Sequence, residues 1–544
     1  MARLSDLLKN VEGARVVSGA DTVEISEVRD DSRLVRSGDL FVAIPGTKAD
    51  GRKFIEDALA KGAVAILMEG EGDLEASGSA PLPFGRGRGE AAGGGGGRGG
   101  PEVPSAERPT TSASTGEGHA HVLVPSARRA LGIVAANRFA ENSALTLTAV
   151  TGTNGKTTTT YIVESILSAA GRKPGVIGTV GYRYGGRQKE AALTTPGALE
   201  LHRNLDEMRT AGATDVVMEA SSIALEQGRL AGCRFRAAAL TNVTQDHLDY
   251  HGTMDRYFAS KTILFRELMA PSGVGVFFVD DEQGLAMKRE ATCPVLTLTR
   301  GDHGADVAVL ERRLGADGIR ARLGTPAGSL ELVSPLVGEF NLANILTAVG
   351  LALGQGIPAG AIATGVARMR GVPGRLEAVA NEAGVLCVVD YAHTPDALER
   401  ALDVLRPLTK GRLICVFGCG GDRDRTKRPL MGEAAAARAD IALVTSDNPR
   451  TEKPEAIIDM ILEGVRRIAK PERSAAGLAE GQTGFHVEPD RGAAISRAVA
   501  LARVGDVVLL AGKGHEDYQI IGTEKIHFDD REIAAAAFAA RRGA

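Results

Sequence analysis

The sequence predicts an α/β protein of about three domains, built on mostly parallel sheets covered by helices. Three observations predict it. The chain has 544 residues, more than one ordinary hydrophobic core accommodates. Short apolar runs alternate with amphipathic stretches in successive series, the rhythm of parallel strands joined through helices. Glycine-rich and charged loops stand directly after those runs, where open α/β sheets place their ligands.

The first series occupies residues 1–143. Leu4, Leu7, Leu8 and Val11 mark an amphipathic helix over residues 1–13, which lacks the apolar core of a secretory signal. A strand is expected over 40–44, a helix over 54–61 and a strand over 63–68. The pattern then collapses from Gly70 to Gly118: ten of the sixteen residues from Gly85 to Gly100 are glycine. Such a segment buries too little apolar area to offset its ordering entropy, so it reads as a disordered insertion. The alternative, a Gly/Arg-rich nucleic-acid tail, lacks interleaved aromatics. Order returns with a strand over 121–124 and a helix over 126–139.

The second series, 144–374, places strands at 145–150, 215–220, 237–243 and 275–280, and a helix at 254–268. The third, 375–544, places them at 385–390, 413–418, 441–445 and 507–511. Composition sets outer limits. The 64 Lys and Arg against 68 Asp and Glu leave a net charge of −4, no global field for nucleic acid. Aromatic residues make up 4% and tryptophan is absent, so no base-stacking surface is expected. The five cysteines form no CxxC pair, against a disulfide framework or a zinc site and in keeping with a reducing cytoplasm. No stretch approaches the ~20 apolar residues of a membrane span.

The strongest motif is Thr151-Gly152-Thr153-Asn154-Gly155-Lys156-Thr157-Thr158 between a strand and a helix. Its glycines let backbone N–H groups turn toward a phosphate, and the helix N-terminus adds positive potential. Lys156 suits the β/γ-phosphates of a nucleotide and Thr157 a Mg²⁺ ion. Glu219 ends the next strand; it suits the nucleotide's metal or serves as a helix cap. The run Thr241 to Gly252 carries His247 and His251 with Asp246 and Asp249. It has metal-binding and acid–base capacity, or is a loop of Asx turns. Lys261 on its own reads as a solvated helix lysine, and Asn341 and Asn344 as helix caps. In the third series, Arg375, the Asp390 run, the Arg423 run, Asp447-Asn448-Pro449-Arg450 and Gly512-Lys513-Gly514-His515-Glu516 all lie at series boundaries or strand ends. Singly each is turn chemistry; together they describe a site rich in cations for anions.

TGTNGKTT, EASS, TNVTQDHLDYHG, GEFNLAN, GVPGRLE, DYAHTP, FGCGGDRDRTKRP, DNPR and GKGHEDYQ occur in this order. The set resembles the Mur ligases, and among them the members that add meso-diaminopimelate during peptidoglycan assembly. The resemblance covers nearly the whole chain outside 70–118 and 471–484. It implies an N-terminal UDP-binding α/β domain, a central P-loop ATPase domain and a C-terminal Rossmann-like domain. It implies that Lys156, Glu219, His247 and Lys261 are catalytic. ATP would be bound by Gly152, Thr153, Asn154, Gly155, Lys156, Thr157 and Thr158, with Asn344, Arg375 and Asp390. Asp30 and Ser32, the stretch Thr47, Lys48 and Ala49, and Thr194, Thr195, Ser221, Gln227 and Arg229 would bind UDP-MurNAc-L-Ala-D-Glu. Arg423, Asp447, Asn448, Pro449, Arg450, Gly512 and Glu516 would bind diaminopimelate, with Arg450 on its distal carboxylate. Mg²⁺ would sit on Thr157, Glu219, His247 and Lys261, the last as N6-carboxylysine. One departure is Ile223, where the family commonly has histidine after two serines.

The implied activity is ATP-dependent amide formation through an acyl phosphate, in a cytoplasmic monomer with no nucleic-acid partner and no membrane insertion. The rivals are a lysine-adding or folylpolyglutamate-type ligase, and a P-loop regulatory or transport ATPase. The DNPR arginine and the N-terminal Asp31-Ser32-Arg33 motif speak against the first pair. The last leaves the DNPR and GKGHE loops without a purpose.

Overall fold

The computed structural model describes residues 1–46, 50–70, 118–302, 304–315, 318–369 and 371–542. The insertion 70–118 falls almost wholly outside these, as do Thr47, Lys48 and Ala49. The described chain forms two compact units, Met1–Arg138 and Phe139–Ala544.

The first unit carries a five-stranded sheet in the order Arg15–Ser18, Ala120–Val124, Ala65–Glu69, Leu40–Ala43, Val28–Arg29. All neighbours are parallel except the first pair. Leu40–Ala43 is buried at every position, which is why it reads as a continuous apolar run. The helix expected over 1–13 contracts to Leu4–Leu7. Asn10 and Gly13 take left-handed φ values of 60° and 67°, and a right-handed helix cannot run through them.

The second unit contains an eleven-stranded and a six-stranded sheet. The larger runs Arg187–Lys189, Gly181–Tyr184, Pro174–Gly178, Asp215–Glu219, Thr146–Thr151, Phe235–Leu240, Met269–Phe278, Val295–Thr299, Val307–Gly315, Gly318–Thr325, Gly328–Ser334. Its middle, from Pro174–Gly178 to Val307–Gly315, is parallel. Antiparallel hairpins extend both ends. The helix Lys156–Ala169 buries Ile162, Val163, Ile166 and Leu167 against Leu342, Ile345 and Val349 of Glu339–Gly354 and Ile362 and Val366 of Ala359–Arg368. Each such side chain contributes roughly 1.5–3 kcal/mol, so the phosphate-loop helix is a fixed part of the core.

The smaller sheet has the order Glu377–Val379, Leu386–Asp390, Val507–Ala511, Leu413–Phe417, Ile441–Val444, Gly484–Val487. It is parallel but for its first strand. The chain is thus of the α/β class. Among the described residues, no helix is long and apolar enough to cross a membrane.

Candidate active site

The parallel register brings the candidate loops together. Val150 pairs with Glu219 and Thr151 with Leu240, so three successive motifs leave the sheet side by side at the carboxyl ends of their strands. Between Thr151 and the helix, Gly155 takes φ 85° and caps the helix N-terminus. A side chain there would overlap the Asn344 carboxamide. The expected ATP residue Asn344 is therefore in direct contact with the loop, buried and donating to Asn341 Oδ1 at 3.2 Å. Gly152 packs against Thr241 and Asn242, leaving no room for a Cβ.

The loop's other groups are tied down. The Thr153 hydroxyl lies 3.0 Å from Tyr257 OH, and the Asn154 N–H donates to Asn242 Oδ1 at 3.0 Å. Lys156 Nζ folds back onto the carbonyls of Gly152 and Thr153 at 2.9 and 2.8 Å. Burial lowers its pKa, against the attraction of Glu219 and Asp246. Thr157 and Thr158 are buried in the first helical turn.

Glu219 is 1% exposed. Its Oε1 accepts from Thr179 N at 2.8 Å and its Oε2 from Thr179 Oγ1 at 3.0 Å. From here a chain of contacts leads through the expected dipeptide-site residues. Thr194 Oγ1 is 3.1 Å from Thr179 Oγ1, and Thr195 Oγ1 donates to Glu219 O at 2.7 Å. Ser221 N donates to Thr195 Oγ1 at 3.1 Å. Arg229 donates to Thr195 O at 2.9 Å and twice to Gln227 Oε1, and Gln227 Nε2 to Tyr250 OH at 3.1 Å. Thr194, Thr195, Ser221, Gln227 and Arg229 therefore form one network beside the phosphate loop.

His247 caps the helix Leu248–His251 with φ 53°, its Nε2 3.5 Å from Asp246 Oδ2. Burial lowers its pKa, which keeps a lone pair for a metal. Lys261, taken alone, reads as a solvated helix lysine; the structure buries it to 1% exposure. The helix Met254–Glu267 turns this residue inward, and Nζ lies 4.1 Å from the Tyr257 ring centroid. Burial, reinforced by Lys156, holds its pKa well below the ordinary value, which favours loss of its proton.

From the smaller sheet, Arg375 packs its guanidinium 4.7 Å from the Tyr391 ring centroid. Asp390 Oδ2 accepts from Leu376 N at 2.8 Å, and burial raises its pKa against the pull of Arg375. Asp396, in the first turn of Pro395–Leu405, crosses to the larger sheet. Its Oδ2 accepts from Asn154 Nδ2 at 3.0 Å and Thr244 Oγ1 at 3.3 Å, and its Oδ1 from Arg400 Nε at 2.9 Å. The sequence reading missed Asp396; its only local sign was an acid in the first turn of a helix after a strand-end loop.

The expected amino-acid residues also converge. Arg450 takes φ 51°, donates from its backbone N–H to Ile520 O at 3.1 Å and from Nη1 to Gly421 O at 2.8 Å. Gly420 lies against both Arg450 Nη1 and Arg423 Cγ. Pro449 O packs on Gly421. Asn448 Nδ2 donates to Glu516 Oε2 at 2.9 Å, Gln519 Nε2 to Asp447 O at 2.6 Å, and Gly512 N to Asp390 O at 3.0 Å. Beneath them the buried Arg428 forks onto Glu452 at 2.7 and 3.0 Å, and these hydrogen bonds, with one from the Asp422 N–H, hold the Glu452 carboxyl down to about 2. This brace was also missed.

Asp30 and Ser32 belong to the first unit. Asp31 caps the short helix Ser32–Leu34, where Ser32 is 8% exposed and its carbonyl accepts from Lys61 Nζ at 3.0 Å. The Thr47, Lys48 and Ala49 contacts lie outside the described residues.

Comparison with known proteins matches this arrangement. Residues 24–139 match the model of the Mur ligase family, catalytic domain. Residues 150–352 match the Mur ligase middle domain, and 374–514 the Mur ligase, glutamate ligase domain. The UDP-N-acetylmuramoyl-L-alanyl-D-glutamate--2,6-diaminopimelate ligase of Geobacter sulfurreducens is 44% identical, covering 98% of each chain. A solved structure of a UDP-N-acetylmuramoyl-L-alanyl-D-glutamate--2,6-diaminopimelate ligase is similar with a TM-score of 0.67 at 31% identity, covering 99% of each chain. The MurF ligase of Thermotoga maritima in complex with ADP shares the fold, with a TM-score of 0.57 at 20% identity over 95% of this chain and 99% of that one. A glycine-rich loop of phosphate-binding pattern, a buried strand-end carboxylate and the converging loops around Arg450 thus sit on a fold shared along the whole chain, which belongs to the Mur ligase family of ATP-dependent ligases.

Proposed function

We propose that this enzyme joins meso-diaminopimelate to the D-Glu γ-carboxylate of UDP-MurNAc-L-Ala-D-Glu, at the expense of ATP, in peptidoglycan precursor synthesis. The observation that carries the choice of amino acid is the Arg450 cradle. One N–H of the guanidinium is held by Gly421 O, and the rest of the fork is left for a carboxylate. L-Lysine has no second carboxylate to offer it.

In the first step a γ-carboxylate oxygen bonds to the γ-phosphorus, the β–γ bridging P–O bond breaks, and ADP leaves. The diaminopimelate amine then attacks the acyl-phosphate carbonyl, loses a proton, and inorganic phosphate departs. Both steps bring negative groups together, so charge neutralisation and water exclusion are the chemical requirements. Lys156 and the helix N-terminus meet the phosphates. Thr194, Thr195, Ser221, Gln227 and Arg229 orient the dipeptide. Asn344, Arg375 and Asp390 complete the nucleotide site.

The donor set suits Mg²⁺: the buried Glu219 carboxylate and the Thr157 hydroxyl are hard oxygen ligands that a metal would share with phosphate oxygens. The buried Lys261 amine, its pKa held down by burial, suits carbamylation, which would add a further oxygen ligand near His247. Mg²⁺ supplies charge stabilisation of the transferring phosphoryl group when bound. The boundaries 1–143, 144–374 and 375–544, cytoplasmic location and a monomeric state belong to the same reading.

The test is ADP and phosphate release over a substrate panel. Turnover should require both the UDP-linked dipeptide and meso-diaminopimelate. Equal use of L-lysine overturns the amino-acid assignment, and hydrolysis indifferent to any amino acid favours a regulatory ATPase.

A further inference from the structure

Lys513 stands in the middle of the amino-acid cradle without a role in the reaction just described. It is completely buried. Its Nζ donates to Asn448 Oδ1 at 3.0 Å and to Tyr518 O at 2.6 Å. The same ammonium lies 3.6 Å from Glu516 Oε2 and 3.9 Å from Asp447 Oδ1.

Two consequences follow from these distances. Asn448 Oδ1 also accepts from Ile520 N at 3.0 Å. With two donors at Oδ1, the carboxamide has one orientation available, and Nδ2 must face Glu516 Oε2, which it meets at 2.9 Å. The bond to Tyr518 O pins the start of the strand Tyr518–Ile521, and Ile520 of that strand accepts the Arg450 backbone N–H. One buried cation therefore braces both the acidic and the basic halves of the cradle.

Charge gives the second part. Asp447 and Glu516 bring two carboxylates into a buried space. Burial lowers the Lys513 pKa, but the two carboxylates, 3.9 and 3.6 Å from Nζ, oppose that loss of the proton, so the lysine offsets one of the two negative charges. A single net negative charge beside the Arg450 fork complements the zwitterionic end of an amino acid: ammonium toward the carboxylates, carboxylate toward the guanidinium.

We propose that Lys513 is a positioning residue for the incoming amino acid, fixing the Asn448 carboxamide and the start of the strand Tyr518–Ile521 and setting its ammonium against Glu516 and Asp447. The proposal rests on this loop cluster being the diaminopimelate site. Glu516 meets Asn448 and Lys513 directly, and its charge interacts with Asp447, Tyr391, Tyr518 and Arg491. Burial and Asp447 raise the Glu516 pKa, and Lys513 opposes both. Removing the lysine charge raises it further, so capture of the amino acid is lost at a higher pH than in the parent enzyme.

The test compares the full-length enzyme with Lys513→Met and Lys513→Gln, varying diaminopimelate at saturating ATP and UDP-linked dipeptide. Lys513→Met should raise the KM for diaminopimelate at least about 20-fold, with the KM for ATP within twofold. The acid limb of kcat/KM for diaminopimelate should move up by about one pH unit. Lys513→Gln keeps a donor for Asn448 and Tyr518 but not the charge, so it should show the pH shift with a smaller KM change. If Lys513→Met does not fold, Lys513→Gln decides. An unchanged acid limb and unchanged KM in a folded variant overturn the proposal. A parent enzyme that does not use diaminopimelate overturns the functional reading instead, so the two failures are distinct.

Discussion

Replacing Arg450 by lysine isolates the specificity element. Backbone effects cancel: position 450 has φ 51° in the cradle, equally unfavourable for either side chain, and the N–H bond to Ile520 O is kept. The surrounding turn is left intact, so stability should shift by no more than about 0.5 kcal/mol. What changes is the head group. The guanidinium spends one donor on Gly421 O at 2.8 Å and has the remainder of a planar fork for substrate. An ammonium is a point charge that satisfies either the carbonyl or the carboxylate in good geometry, but not both. The loss corresponds to one charge-assisted hydrogen bond, roughly 1.5–3 kcal/mol, or about 10- to 150-fold. Coupled detection of ADP under varied diaminopimelate should show Arg450→Lys raising the KM by that factor with the KM for ATP unchanged. A KM within threefold of the parent refutes the assignment of Arg450 to the distal carboxylate.

Other substitutions test other parts. Gly155→Ala forces a side chain into a left-handed position and onto the Asn344 carboxamide. The conformational term alone is about 1–2 kcal/mol, so ATP turnover should collapse while circular dichroism still reports a folded chain. Lys261→Ala should abolish turnover, and a short-chain carboxylic acid should restore part of it if a carbamate is the active form; full activity without rescue contradicts the carbamate. Burial holds the His202 imidazole down to about 4, against about 6.5 in an unfolded chain. Its contribution is therefore complete above about pH 6.5 and is lost as pH falls toward 4, a change on the order of 3 kcal/mol. His202→Leu should narrow the gap between melting temperatures at pH 7 and pH 5; an unaltered gap means the imidazole is not the titrating group.

The parts of the fold most legible in the sequence were those buried on both faces. Strands such as Leu413–Phe417 and Val507–Ala511 are buried throughout and read as apolar runs with a functional loop after each. The meander Val307–Gly315, Gly318–Thr325 and Gly328–Ser334, which extends the parallel sheet by antiparallel pairing, was not read. Its strands carry exposed charged residues such as Glu311, Arg320 and Glu331, and such polar stretches resemble surface loop. Candidate site residues stood out where the pattern is local, as in the run Thr151 to Thr158. Asp396, Lys513 and Arg428 were opaque for the opposite reason. Their partners lie 242, 65 and 24 positions away in sequence, and only folding discloses which acid or base they meet. Lys261 is intermediate: its residue type suggests solvent, and only the packing of its helix reveals a buried amine.

The carboxylate of Asp396 has a thermodynamic consequence. It joins the Asn154 side chain, whose own backbone sits in the nucleotide loop, to a helix of the glutamate-ligase part of the chain. If nucleotide binding changes the strength of that bond by some factor, formation of the bond must change nucleotide affinity by the same factor. ATP and the helix Pro395–Leu405 are then mutual effectors. A substitution at Asp396, which need touch no phosphate, should be read as a change in how tightly the nucleotide is held and in how readily the two sheets come together.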